Sequence, residues 1–281
     1  MVFHELAVGA PLLKKVRNIV VYAIKSEKIV HAALLAATLF PNAIYHVVSA
    51  IPKYSSRTTY TKLYQEVMKN LAEDSLTNIK IALLQKGIRF IREKLLHSRK
   101  PSKELVRYIK NVKADLIVIA TVPQMLGRMG AKLFLEASKI RKPMLIYTLV
   151  SKEPTKIKTI ILLTSKLSLE SEALLSSLII AHRMNSEILV VTMETPEVLD
   201  IQLLNILTTI YNAKIHIELS TKHRDKLIEY AIEISNEADL LIVDRDIFAK
   251  HKYLYILPWI RKLSKEEEKL LSSSLTPILY L

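Results

Sequence analysis

The sequence predicts an α/β protein made of two tandem, doubly wound domains, each built on a five-stranded parallel sheet. Two observations carry this expectation. Short runs rich in Val and Ile alternate with longer stretches of helical period, the pattern of parallel strands joined by crossover helices. The order of these runs then repeats, and ADLIVIA (Ala114 to Ala120) returns almost letter for letter as ADLLIVD (Ala238 to Asp244). At 281 residues the chain is long enough for two hydrophobic cores without disulfide or metal staples. The expected domains are 1–152 and 153–281, joined through the polar stretch Ser151 to Lys156.

In the first half the predicted strands are Val16 to Ile24, Ala43 to Ala50, Ile88 to Leu96, Ala114 to Ala120 and Pro143 to Val150. Helical period fills the gaps. The first helix runs from Glu27 to Leu39 with Pro41 as its stop, and a long second one covers Thr59 to Gln85 with Gly87 as its terminator. A third starts at Pro101-Ser102, because proline suits the first helical position, and a fourth covers Gly130 to Ile140. The second half answers with strands at Ile157 to Thr164, Ser186 to Met193, Ala213 to Leu219, Ala238 to Asp244 and Thr276 to Leu281. Each matched pair holds the same ordinal place.

Composition narrows the chemistry. Average usage of about 7% would give roughly 20 glycines in a chain this long, and there are 4: Gly9, Gly87, Gly127 and Gly130. Mechanisms that need flexible glycine loops around phosphate are largely excluded. Cysteine is absent, which removes thiol nucleophiles, disulfides, thiolate zinc sites and iron-sulfur clusters, and suits a reducing cytoplasm. The longest apolar stretch, Ile29 to Phe40, is interrupted by His31 and falls short of the roughly 18 to 20 residues of a membrane helix. The apolar run near the N-terminus has no basic region ahead of it, so neither a secretory signal nor a membrane partner is expected.

The order of elements, with YHVV in the second strand, ADLIVIA in the fourth and KPMLIY (Lys142 to Tyr147) in the fifth, resembles the universal stress protein domain, here occurring twice between about Val16 and Leu281. The resemblance implies a Rossmann-like, adenine nucleotide alpha hydrolase-like fold in each half. It also implies that the two fifth strands meet, Met144 to Leu149 beside Ile278 to Leu281, making one polypeptide a pseudo-dimer, with a further homo-dimer as an open possibility. In the nucleotide-binding branch of that family an Asp ends the first strand. A G-x-x-G, nine residues, then G-S or G-T follows the fourth, so that backbone amides and a hydroxyl receive phosphate.

Here the first half has Ile24 in place of that Asp, with Ala120 and Pro123 in place of the two glycines. The second half has no glycine; Ser165 stands at the Asp position and Asp244-Arg245-Asp246 follows the fourth strand, where two carboxylates repel phosphate. These departures argue against ATP binding in the family's manner. A local role for Asp244 and Asp246, capping or pairing with Arg245, is preferred over a hard-cation site, because three neighbouring ligands make an incomplete shell.

Several candidate sites remain. One is an anion perch at Gly127, Arg128, Gly130 and Lys132, onto which Lys25 and Ser26 converge from the end of the first strand; an ATP- or AMP-type nucleotide there would set its base against backbone near Val47. Another is the aromatic stretch Ile247 to Ser264, whose Tyr253, Tyr255 and Trp259 suit either a contact with a protein partner or packing over the sheet edge. No metal site, catalytic triad, Walker lysine or dinucleotide fingerprint is present. His46 and His216 lie within strands and are expected to be hydrogen-bonded there.

Charge is uneven. Residues 1–154 hold 26 Lys and Arg against 10 Asp and Glu, net +16, whereas residues 155–281 hold 15 against 17, net −2. This excess suggests an anionic ligand or partner for the first half, with solvated surface charge as the competing explanation. Nucleic acid is the less favoured partner, suggested by Tyr54, Tyr60 and Tyr64 near Lys53, Arg57 and Lys62; Tyr60 and Tyr64, four residues apart on one helix face, read more simply as core packing. The function expected is a non-enzymatic, stress-response binding or regulatory module with no cofactor. A nucleotide switch at Gly127 to Lys132 and a nucleic-acid role for the basic half are the alternatives.

Overall fold

Residues 16–53, 59–120, 142–148, 150–153, 156–168, 171–248 and 264–281 are described in the computed structural model. They fall into two compact units, one taking Arg17–Leu149 and the other taking Val150–Ile256 and Ser264–Leu281.

The first unit contains β1 (Asn18–Tyr22), α1 (Glu27–Leu39), β2 (Ile44–Pro52), α2 (Thr59–Gln85), β3 (Ile91–Ser98), α3 (Pro101–Asn111), β4 (Leu116–Ala120) and β5 (Met144–Tyr147). Its strands are parallel in the order β3-β2-β1-β4-β5. The central strands are buried on both faces, as continuous Val/Ile runs require. Ser26 caps α1 by accepting the Lys28 amide, and Gly87, at φ +89°, takes the left-handed turn that ends α2. β3 begins at Ile91 rather than Ile88, because Ile88 is used to close the helix end, its amide donating to the Leu83 carbonyl. β2 runs on to Pro52, two residues beyond the expected end.

The second unit contains β6 (Thr159–Thr164), α4 (Glu172–Met184), β7 (Glu187–Thr192), α5 (Val198–Tyr211), β8 (Lys214–Ser220), α6 (Arg224–Ile234), β9 (Leu240–Val243), α7 (Lys265–Ser273) and β10 (Ile278–Tyr280). Its strands are again parallel, in the order β10-β9-β6-β7-β8. Having no glycine, it ends α4 and α5 with Asn185 and Asn212 at φ 55° and 48°, asparagine being the residue after glycine that best tolerates this turn. At the start of this unit Ser151 is fully buried, and the Lys152 amide donates to the Leu275 carbonyl.

One interaction occurs in both units. The Asp115 carboxylate accepts from the Arg17 and Asn18 amides at 2.9 and 3.0 Å, and the Asp239 carboxylate accepts from the Lys158 and Thr159 amides at 2.7 and 3.1 Å. These are the aspartates of the two A-D-L repeats. Each satisfies two amides at the very start of a central strand and ties that strand to its neighbour, β1 to β4 or β6 to β9.

Of the described tyrosines, Tyr64 departs from expectation. It is 40% exposed, and its neighbours Leu63 and Val67 are exposed as well, so the first turns of α2 stand out from the core that Leu76, Ile79 and Leu83 enter. No helix among the described residues is long and apolar enough to cross a membrane. Removing either bracket by Asp115→Ala or Asp239→Ala leaves two strand-end amides without their charged acceptor. We expect each substitution to cost about 2 kcal/mol, read as a lowered midpoint in urea unfolding followed by circular dichroism.

Candidate functional site

In a doubly wound sheet the strand order reverses between the first and fourth strands, and the crevice at their carboxyl ends is where ligands bind. In this chain those crevices lie beyond β1 and β4 and beyond β6 and β9.

In the second unit the residues that follow β9 bond back to the end of β6. Asp244 follows β9, its amide donating to the Leu163 carbonyl at 2.9 Å. One carboxylate oxygen accepts from the Asp246 amide at 3.0 Å, and the other lies 3.1 Å from the Thr164 hydroxyl at the end of β6. The Asp246 amide belongs to a 3-10 turn, Arg245–Phe248, that is anchored below and above. Ile247 and Phe248 are buried, Phe248 stacks on Tyr280 with ring centroids 6.2 Å apart, and the Arg245 guanidinium lies 5.2 Å above the same ring. The Tyr280 hydroxyl in turn donates to the Glu267 carboxylate at 2.5 Å. The local capping role of Asp244 is therefore the one the structure contains.

Burial holds the Asp244 carboxyl above the usual carboxylate range; the Asp246 charge adds to this, while bonds from the Asp246 amide, Thr164 and Ser171 offset part of it. The Thr164 hydroxyl also lies 2.9 Å from the Lys166 carbonyl. One hydroxyl proton cannot serve both acceptors, whereas a proton carried by Asp244 satisfies both.

In the first unit Lys25 is exposed at the end of β1, and the Ser26 oxygen is already engaged in capping α1. Lys25 and Ser26 are neighbours in the chain, between the end of β1 and the start of α1. Gly127, Arg128, Gly130 and Lys132 lie outside the described residues, as do Tyr253, Tyr255, Trp259 and Tyr54. Val47 is strand interior, fully buried and in register with Val21 on one side and Glu93 on the other, so both neighbouring strands use the backbone there.

A second titratable cluster sits in the first unit and uses His46, as its place in a strand suggested. Its Nδ1 lies 3.1 Å from the Tyr108 hydroxyl, and its Nε2 is 3.5 Å from the Asn18 side-chain oxygen. A neutral imidazole that donates from Nε2 to this oxygen has Nδ1 free to accept the Tyr108 proton. Burial and then the Arg92 charge hold its pKa below the ordinary histidine value. Among the described residues no group of three or more His, Asp and Glu side chains is placed to hold a metal.

No protein-family model matches the chain, and no curated protein matches it by sequence. Solved structures do match in fold. A universal stress protein from Archaeoglobus fulgidus DSM 4304 superposes with a TM-score of 0.67 at 12% identity, over 96% of this chain and 97% of that one. The chain folds as universal stress proteins do. A protein of unknown function from Pseudomonas aeruginosa PAO1 matches with a TM-score of 0.60 at 12% identity, covering 96% of this chain and 93% of that one. The similarity in fold therefore extends over almost the whole length of the chain.

Two measurements probe these clusters. Because the Asp244 pKa is raised on folding, the stability it contributes is full below its unfolded pKa and is lost as pH rises through the folded value. Asp244→Asn should therefore raise the melting temperature at neutral pH by a few degrees, about 1 kcal/mol for one well-placed hydrogen bond, with the gain shrinking towards pH 3. The His46 pKa is lowered, so its contribution is present above about 6.5 and is lost as pH falls through the folded value. Urea midpoints of the wild type should drop between pH 7 and pH 5, and His46→Gln should flatten that slope.

Proposed function

We propose that this chain is a non-catalytic, stress-response regulatory module of the universal stress protein type whose second unit does not take ATP. The observation that carries this reading is the Asp244 cluster. Where glycine amides would receive phosphate, a carboxylate accepts the Asp246 amide, and a second carboxylate, Asp246, is exposed beside it. Phosphate brought there meets two acids in place of free donors. The buried Ile247 and Phe248 make the turn costly to rearrange, because opening it would unstack Phe248 from Tyr280. The stress-response part of the reading rests on the similarity in fold to proteins named as universal stress proteins.

The test is direct. A bound nucleotide at 100 times its Kd stabilises a protein by about 2.7 kcal/mol, several degrees for a chain of this size. Thermal titration with ATP, ADP, AMP and cyclic dinucleotides should leave the melting temperature unchanged, and the purified protein should carry no nucleotide by mass spectrometry. A saturable rise of several degrees that persists in an Arg128→Ala, Lys132→Ala variant would reverse the reading. A rise that disappears in that variant would assign the site to the first unit and leave the reading of the second intact.

A further inference from the structure

We infer that the open edge of the first unit, along β3 and into α3, is a binding surface for single-stranded nucleic acid. It is separate from the crevice of its own unit and does not depend on whether either crevice takes a nucleotide. Among the described residues β3 pairs only with β2, so its outer side has no strand partner. Between Lys86 and Lys113 the chain holds ten Lys and Arg against two acids, and all ten cations are exposed. The two acids are already paired, Glu93 with Lys80 and Glu104 with Arg107.

Topology gathers these cations into one region. Arg92 shares a register position with His46 and therefore the sheet face on which α3 packs, and Lys94 follows on that face. Arg99 and Lys100 make the turn into α3, where Lys103, Arg107 and Lys110 recur at i, i+4 and i+7 on the exposed side. The helix runs back against the strand, so its last turn returns Lys110 to the end of the sheet at which Arg89 and Phe90 enter β3.

Phe90 is a separate observation that selects the ligand. Its side chain is 65% exposed while its carbonyl is fixed by the Tyr45 amide at 2.8 Å. A bare aromatic ring beside Arg89 and two residues from Arg92 offers a platform for a base next to donors for phosphate. Unpaired bases present ring faces to it; a duplex hides them and an acidic peptide has none.

Protection of an open strand edge also favours charge, but the second unit shows that this fold does not require so much of it. The corresponding stretch from Ile210 to Glu237, which contains the edge strand β8 and α6, holds four Lys and Arg against five acids. The cationic excess belongs to the first edge and not to the architecture.

Fluorescence anisotropy of the full chain with a labelled oligothymidylate of about 20 nucleotides tests this, with a duplex of the same length and polyglutamate as competitors. Saturable binding is expected at 50 mM salt, weakening about a hundredfold by 200 mM, as for roughly five neutralised phosphates. Phe90→Ala should weaken binding about tenfold with the salt slope unchanged, and Arg92→Glu with Lys94→Glu should flatten that slope. Lys222→Glu with Lys226→Glu, on the second unit, should change neither. Absence of saturable binding at 50 mM salt would overturn the inference. So would competition by duplex or polyglutamate as effective as by unlabelled oligothymidylate, or wild-type binding by the Phe90 or charge variants. Arg99→Glu with Lys100→Glu, in an exposed turn, repeats the charge test should the strand variants melt below the wild type.

Discussion

The Asp115 and Asp239 carboxylates fix where each sheet begins, because each accepts two successive amides at the head of a central strand from a position next to the neighbouring strand. The partners are 97 and 98 residues apart in the first unit and 80 and 81 in the second, so no local propensity brings them together. Once made, the contact sets register. A slip of one residue would swap the two buried faces of β1 or β6, so that Val20, Val21, Ile160 and Ile161 would each have to pack into the opposite layer. Register at the amino end also fixes which residues emerge at the carboxyl end, where the crevices lie.

From two equivalent brackets the units diverge beyond their fourth strands. In the second unit Asp244 emerges level with Thr164, and each supplies the other with a hydrogen-bond partner. The turn beyond it is stapled by Ile247, Phe248 and the Arg245–Tyr280 contact. A glycine loop would keep its amides free for a ligand; this segment commits the Asp244, Arg245 and Ile247 amides to backbone carbonyls and the Asp246 amide to the Asp244 carboxylate, the opposite of what an adaptable phosphate cradle needs.

The strands and most helix limits were legible in the sequence because they depend on local patterns: Val/Ile runs for β1, β4, β6 and β9, Ser26 and Pro101 at helix starts, and Gly87 at a helix end. The repeated A-D-L was visible too, as the start of a strand in each half; that its aspartate brackets another strand depends on a contact across the sheet. The same holds for His46, whose placement in a strand foretold a hydrogen-bonded ring while its partners Tyr108 and Asn18 come from other elements. Tyr64 misled because four-residue spacing marks a shared helix face without saying whether the sheet reaches that far, and it does not.

The charge imbalance between the halves acquires a location once the strands are ordered. Sequence alone spread 26 cations over the first 154 residues, whereas the fold puts ten of them between Lys86 and Lys113, on one edge strand, the helix after it and the turns that flank the two. Like charges so close repel one another and destabilise the compact state, by an amount that salt screens over about 10 Å at 0.1 M. The counterpart β8 and α6 carry no such excess, so the repulsion is not a requirement of the architecture. A polyanion laid along the edge would relieve it, and the same self-repulsion that costs the free protein stability would then contribute to the affinity of the complex.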